Sequence, residues 1–362
     1  KGIYDLYRPF VEKGIQLTRP DGLFGMVLPD IVLLKDYVET REYLLRNLSL
    51  DAIDWWGMAF PDAVIDAATI IGTKAESQST HQVYVGVRDS ETPFEHRIPQ
   101  ADFWSNPRFV FNLFLTPKKR EILTRLDAFP KLGDYFEIHE GVHSGNIREE
   151  LFVATRLDDT CQPLIFGRDE IQPYLLRWNG KYVRLGALPA QKSKHRYANA
   201  GSPEWYAQEK ILVRRTGDYV LAAVDRERRY ASNNFFIVYP KQCALLNSEF
   251  MTWYFRTIEP RRGRVFAELK IKHLTIFPLP LCGNGAAALN ELGEKRARLA
   301  ESIAVAKTPH AMEVARREAQ YIDGRIDKLV NSVFQVEFDP RTDSYEIQEI
   351  CNAKTETTVS DR

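Results

Sequence analysis

Leu23-Phe24-Gly25-Met26-Val27-Leu28, closed by Pro29, is the stretch on which the fold turns. Six uncharged residues ended by a proline are short for a helix and right for a strand. A run this continuously apolar suits a strand buried on both faces, as in a parallel sheet. Upstream of it, Arg19-Pro20-Asp21-Gly22 is a turn. Before that turn, residues 4–17 place Leu6, Phe10 and Leu17, with Tyr7, Val11 and Ile15 beside them, on a helical face. Downstream, 37–48 has helical spacing, 50–56 reads as a strand, and 67–73 and 82–87 add two more. Helix and strand in alternation predict a doubly wound α/β sheet over 1–92. That sheet is expected to be incomplete. Early in the chain there is no glycine-rich strand-to-helix turn of the kind that cradles a nucleotide-like cofactor.

Farther along, the texture changes. Prolines at 93, 99, 107, 117 and 130 mark 93–130 as a connector with one helix over 117–128. Short β-type runs follow at 135–139, 181–185, 210–214, 219–224 and 234–238, broken by Gly, Pro, Asn and Asp. They predict an irregular, mainly β domain over 131–280. Residues 281–350 return to helical spacing, with one helix over 288–305. A second carries Ile322, Ile326, Leu329, Val330 and Val333, and the two are expected to pack as a hairpin. The polar end, 351–362, is expected to fray.

At 44% hydrophobic and 27% charged residues the chain is of ordinary globular composition. It has no apolar window long enough to span a membrane. The first residues lack a signal peptide's basic-then-apolar pattern and an initiator Met, so the chain is expected to begin inside a longer product. Cys161, Cys243, Cys282 and Cys351 share no short spacing; they read as free thiols in a reducing cytoplasm, and no metal site is expected. The carboxylate pairs Glu149-Glu150 and Asp158-Asp159 lack the partner lysine of a nuclease centre and read as solvated.

Charge is where the sequence becomes specific. The 49 Lys and Arg balance 49 Asp and Glu, yet residues 181–280 hold 18 basic against 8 acidic residues. A basic segment inside a neutral chain is what a phosphate-backbone partner requires, although a solvated face looks the same on charge alone. Its clusters are Lys192, Lys194, His195 and Arg196; Arg214, Arg215 and Thr216; Arg226, Arg228 and Arg229; Arg261, Arg262 and Arg264; and Lys270 with Lys272. Adjacent arginines on a strand point to opposite faces, so one of Arg214 and Arg215 can reach a base edge while the other meets a phosphate or a carboxylate. A surface salt bridge is the plain alternative for either. His143-Ser144-Gly145-Asn146 is a turn rich in hydrogen-bonding groups, where glycine lets a backbone approach a phosphate; it also reads as a simple connection.

Several segments, in order, resemble one family. Tyr4-Asp5-Leu6-Tyr7-Arg8-Pro9-Phe10-Val11-Glu12-Lys13-Gly14, Asp21-Gly22-Leu23-Phe24-Gly25-Met26-Val27-Leu28-Pro29, the paired Leu44-Leu45, and Ala59-Phe60-Pro61-Asp62-Ala63 before Ala68-Thr69-Ile70-Ile71-Gly72 form the first block. This block resembles the part of gamma-class adenine-N6 DNA methyltransferases that follows the catalytic motif. A second block comprises Ile138-His139-Glu140-Gly141-Val142-His143-Ser144-Gly145-Asn146, Glu209-Lys210-Ile211-Leu212-Val213-Arg214-Arg215-Thr216-Gly217, and Leu269-Lys270-Ile271-Lys272-His273-Leu274 running into Phe277-Pro278-Leu279-Pro280. With Ile322-Asp323-Gly324-Arg325-Ile326-Asp327-Lys328-Leu329-Val330, it resembles the TaqI-like specificity domain and closing helix of type IIG restriction–modification enzymes.

The resemblance implies an incomplete Rossmann-like methyltransferase sheet, then a β-rich target-recognition domain and C-terminal helices. It also implies S-adenosylmethionine as the parent protein's cofactor, double-stranded DNA as partner, and an upstream domain or partner subunit. Phe60 would lie against the flipped adenine; read from the residues alone, it is a core aromatic at a strand end. DNA contacts would fall to His143, Ser144, Asn146, Lys192, Lys194, Arg196, Arg214, Arg215, Thr216, Arg228, Arg229, Arg261, Arg262 and Arg264. The family's Asn-Pro-Pro-Tyr loop does not occur in the chain, the nearest Asn-Pro being Asn106-Pro107 before Arg108. By itself the chain is therefore expected to be inactive in methyl transfer. Two other readings stay open: a non-enzymatic DNA-specificity module serving a partner methyltransferase subunit, and a basic α/β protein that binds RNA or another protein.

Overall fold

The computed structural model describes residues 6–34, 37–60, 62, 65–88, 93–191, 193–194, 196–239, 243–259, 268–280, 284–339 and 344–347. It divides into two compact units, Lys1–Arg120 and Glu121–Arg362.

The first unit runs α1 (Tyr7–Leu17), β1 (Leu23–Pro29), α2 (Ile31–Leu34), α3 (Val38–Asn47), β2 (Ser49–Gly57), β3 (Ala67–Thr73), β4 (Gln82–Val87), β5 (Phe94–Pro99) and α4 (Gln100–Ser105). Its five strands form one sheet in the order β1-β3-β2-β4-β5. This sheet is not the parallel one expected. Only β2 and β4 are parallel neighbours; β3 is antiparallel to both β1 and β2, and β5 is antiparallel to β4. The cause is connection length. Two helices carry the chain from β1 over to β2, whereas no helix is found among the described residues between β2 and β3, and the chain turns back.

β1 itself corrects the reading of its sequence. Among the described residues it is an edge strand, with Phe24 and Leu28 in the core and Leu23 and Val27 exposed at 74% and 52%. Helix α1 likewise buries Val11 and Ile15, not the Leu6, Phe10 and Leu17 stripe, which faces outward at 73%, 64% and 74% exposure. The helix carries two apolar faces and the sheet covers one. The stretch read as a connector holds β5 and α4, and Phe103, Phe111 and Leu113 are buried in the same core.

The chain continues with α5 (Pro117–Leu126), within which the second unit begins. That unit holds α6 (Leu132–Tyr135), β6 (Ile138–Glu140), α7 (Arg148–Leu151), β7 (Phe152–Val153), β8 (Cys161–Ile165), β9 (Ile171–Gln172), β10 (Leu175–Leu176) and β11 (Tyr182–Arg184). Then come β12 (Lys210–Arg214), β13 (Ala222–Asp225), β14 (Tyr230–Ala231), β15 (Phe235–Val238), α8 (Cys243–Leu246), α9 (Glu249–Ile258) and α10 (Ile271–Leu274). It closes with α11 (Asn284–Val305), α12 (Pro309–Phe334), β16 (Val336–Asp339) and β17 (Ser344–Ile347).

Two four-stranded sheets, β13-β12-β15-β6 and β14-β8-β11-β7, organise it. Strand β12 is buried along its whole length because both faces are covered. Ile211 and Val213 pack with Phe236, Val238 and the helical residues Phe250, Phe255, Ile322 and Val330. Leu212, with Phe235 and Ile237, packs on Leu164, Ile165 and Val183 of the β14-β8-β11-β7 sheet, the smaller of the two by strand length. Period-two alternation thus feeds two cores from one strand.

Two expectations need amendment here. Residues 135–139 split between the end of α6 and the start of β6. Helices α8 and α9 lie inside the stretch read as mainly β; α9 buries Phe250, Met251, Trp253, Tyr254 and Phe255 and keeps Glu249, Thr252 and Arg256 on its less buried face. Ser248 starts it as an N-cap, its Oγ accepting the Met251 N–H at 3.2 Å. The expected hairpin of α11 and α12 is present, with Ile322, Ile326 and Val330 buried and Arg296 held to Asp323 at 2.8 Å. The tail 351–362 lies outside the described residues. Among the described residues no helix is long and apolar enough to cross a membrane.

Candidate nucleic-acid interface

In the first unit, β1, β2 and β4 run in one direction and end at the same edge, at Pro29, Gly57 and Val87. Ligands of α/β sheets bind at the carboxyl ends of such strands. Beyond these ends come Asp30, the 58–60 loop and Arg88. Trp56, Met58, Phe60 and Ile65 are exposed at 42%, 60%, 52% and 56%. Phe60 is therefore not a core aromatic. Trp56 is held by its Nε1 donating to Thr69 Oγ1 at 2.8 Å, with the Arg88 guanidinium 6.0 Å from its ring. Arg88 is in turn fixed by Asp54 at 2.8 Å. This edge is a half-exposed aromatic ledge with one anchored cation.

In the second unit, two loops are zipped together. His143 N–H donates to the Asn199 carbonyl at 2.7 Å, and Asn199 N–H returns to His143 at 2.8 Å. Asn146 accepts the Tyr197 N–H on its Oδ1 at 2.9 Å. Gly145 makes this possible. Its φ is +53°, and a Cβ there would stand 1.9 Å from the Tyr197 carbonyl oxygen. His143 and Asn146 are exposed and Ser144 is half-buried. Arg196 grips Glu150 through both nitrogens, at 2.8 and 2.7 Å, and thereby holds that carboxyl below the usual carboxylate range. Lys194 is exposed. Lys192 and His195 lie outside the described residues, as do Arg261, Arg262 and Arg264.

The two arginines after Val213 part company. Arg215 points its guanidinium at Glu140 and Glu268 and at the Asn233 carbonyl. Arg214 is buried, with its guanidinium 4.5 Å from the Tyr219 ring centroid and its Nε without a hydrogen-bond partner among the described residues. Thr216 is exposed and bridges to Glu268.

The turn from β13 to β14 is organised by Asp225, whose buried carboxylate accepts from Lys210 Nζ at 2.7 Å and from the Arg229 N–H at 2.8 Å. Burial pulls the Lys210 ammonium below its usual range, and Asp225 opposes that. At the tip, Arg228 is exposed with φ +58°. Arg226 is tied to Glu294 at 2.6 Å and Arg229 to Glu227. The structure thus commits Arg196, Arg215 and Arg229 to carboxylates and leaves Lys194, Thr216 and Arg228 at the surface.

Sequence reading passed over two cations, Arg148 and Lys181. Both lie on the ring of Phe166, at 5.0 and 4.0 Å from its centroid. The signal available was Arg177-Trp178-Asn179-Gly180-Lys181, a turn that interleaves charge with an aromatic; Trp178 is exposed there and stands edge-on to Tyr182. Among the described residues no group of three or more His, Cys, Asp or Glu side chains is arranged to hold a metal ion.

Comparison with known proteins bears on these surfaces. Residues 162–279 match the TaqI-like C-terminal specificity domain. A type II methyltransferase of Thermus thermophilus is 24% identical over 253 residues, which is 69% of this chain and 55% of that protein. The chain therefore spans little more than half the length of that relative. Among solved structures, the type IIL restriction–modification enzyme MmeI, determined in complex with DNA, aligns over 91% of this chain and 49% of its own, with TM-score 0.58 and 10% identity. The type IIG restriction endonuclease BpuSI covers the same shares at TM-score 0.35 and 12% identity. The likeness to a TaqI-like specificity domain rests on the first match, that to a type II methyltransferase on the second, and the mixed α/β fold with its C-terminal helices on the third.

Proposed function

We propose that this chain recognises a DNA sequence for adenine-N6 methylation in a restriction–modification or phage-defence system, as the recognition-bearing portion of a larger methyltransferase. The observation that carries the reading is a coincidence of three boundaries. The segment matching the specificity domain, 162–279, holds most of the loop-presenting strands of the second unit and nearly coincides with the basic surplus of 181–280. Phosphate contacts would supply affinity there and a minority of side chains would read base edges.

On this reading the first unit is the C-terminal part of a Rossmann-like methyltransferase sheet. The exposed edge of β1, with Leu23 and Val27, and the bare apolar face of α1 support it, because such surfaces are normally covered. What covers them would be the rest of the catalytic domain, from the same protein or a partner subunit. Phe60 would stack on an extruded adenine, a contact worth roughly 1–3 kcal/mol per base. S-adenosylmethionine would donate the methyl group in the complete enzyme. The described residues offer it no cradle: β1 passes to α2 through Pro29 and Asp30, and Gly57 opens onto the 58–60 loop rather than onto a helix. No chemical step is assigned to this chain.

The test is equilibrium binding of the chain to duplex DNA between 50 and 200 mM salt. With about six or more phosphate contacts, affinity is expected to fall by about 10³ or more over that range. Affinity that stays flat would refute a phosphate-tracking surface.

A further inference from the structure

We infer that Arg148, Lys181 and Phe166 form a phosphate-binding site for the DNA backbone on the smaller sheet of the second unit; the inference rests on the reading of the chain as a DNA-recognition element. The two cationic heads share one ring, so the sum of their distances to its centroid, 5.0 and 4.0 Å, caps their separation. Among the described residues neither has a side-chain hydrogen bond or ion pair. Three other arginines of this unit are committed instead. Arg184 holds Asp158 at 2.6 Å, Arg196 holds Glu150 at 2.7 Å and Arg226 holds Glu294 at 2.6 Å. Of the two carboxylates that follow Phe166 in the chain, Asp169 is exposed beside Arg168 at 3.9 Å, and Glu170 is buried and accepts the backbone N–H groups of Phe166 and Gly167 at 2.8 Å each and of Asn179 at 3.1 Å.

Two like charges on one ring without a counter-charge repel, and nearby anions relieve that cost. Each cation–ring contact stabilises by about 0.5–1 kcal/mol at an exposed site, enough to fix the heads but not to neutralise them. A DNA backbone, with one negative charge on every phosphodiester, offers both heads the anion they lack. The location fits as well. Arg148 is exposed and directly follows the 143–147 loop. The Phe166 carbonyl accepts from Ser232 Oγ at 2.7 Å and Asn234 Nδ2 at 2.8 Å, while the Asn233 N–H between them donates to Val142 at 2.9 Å. One short segment therefore ties the ring to the base of the loop that presents His143 and Asn146.

The experiment measures affinity of the full chain for a random-sequence duplex across 50–200 mM salt. Its variants are Arg148→Gln, Lys181→Gln, the pair together, and Phe166→Leu, each checked by its thermal midpoint. Glutamine removes the charge and keeps a flexible, polar, hydrogen-bonding side chain at each position. Each single glutamine variant is expected to flatten the slope of log affinity against log salt by about 1, and the double by about 2. Phe166→Leu is expected to weaken binding while leaving the slope intact, since both charges remain. A double variant that melts like the parent and keeps its slope overturns the phosphate site alone. A parent chain whose binding does not respond to salt overturns the site and the DNA reading together.

Discussion

Arg214 and Arg215 stand next to each other and serve different ends. The strand places them on opposite faces, and that much follows from the sequence. What each meets does not, because the carboxylates that take Arg215, Glu140 and Glu268, lie 75 and 53 residues away along the chain. The same limit hid Lys210. It counted toward the basic surplus, yet its charge is spent inside the molecule on Asp225, both side chains being fully buried. Asp225 also holds the Arg229 backbone N–H, so the pair fixes the turn that presents Arg228. Lys210→Met is expected to lose about 3–5 kcal/mol of stability, because it strands a buried carboxylate. Urea denaturation reads this as a lowered midpoint at unchanged slope. A loss below about 1 kcal/mol would contradict the assignment of that pair as a structural anchor.

At the scale of elements, legibility followed local pattern and failed where a neighbour decides. Residues 67–73 and 82–87 were readable as strands to their ends because β-branched runs are bounded by polar turns. The order β1-β3-β2 was not, since nothing within Leu23–Pro29 records that its partner arrives from a later, reversed strand. Helix α9 escaped because its aromatic and threonine content favours a strand locally, against the helical spacing of Glu249, Thr252 and Arg256. Its attachment to α12 is testable by pH. Asp327 on α12 accepts the Glu249 N–H at 2.9 Å, and burial raises its carboxyl from 3.8 to about 6. The folded state therefore keeps a proton that the unfolded state releases, so stability falls as pH climbs from about 4 to about 6 and stays lower above that. Asp327→Asn keeps an acceptor without the charge. It is expected to exceed the parent in stability at pH 7 by about 1–2 kcal/mol, less than the full shift because an edge of the group meets solvent. The gain should vanish near pH 4. A gain that is the same at both pH values would show that ionisation of Asp327 is not its source.

For the whole molecule, charge distribution was the most informative feature of the sequence. The surplus of 181–280 drew attention to the second unit, and the match over 162–279 falls on nearly the same residues. The sequence could not separate cations facing solvent from those already neutralised, which is why Arg148 and Lys181 emerge only once both are seen against the Phe166 ring. Specific recognition goes further than phosphate attraction: it requires a few fixed polar groups on rigid loops, such as the zipped 143–147 and 196–199 segments. The most direct measurement is selection of bound duplexes by the chain from a fully randomised library, followed by sequencing. Enrichment of one short motif containing an adenine at a fixed position is the expected result. Bound and unbound pools of indistinguishable sequence, at a salt concentration where the chain still binds, would contradict it.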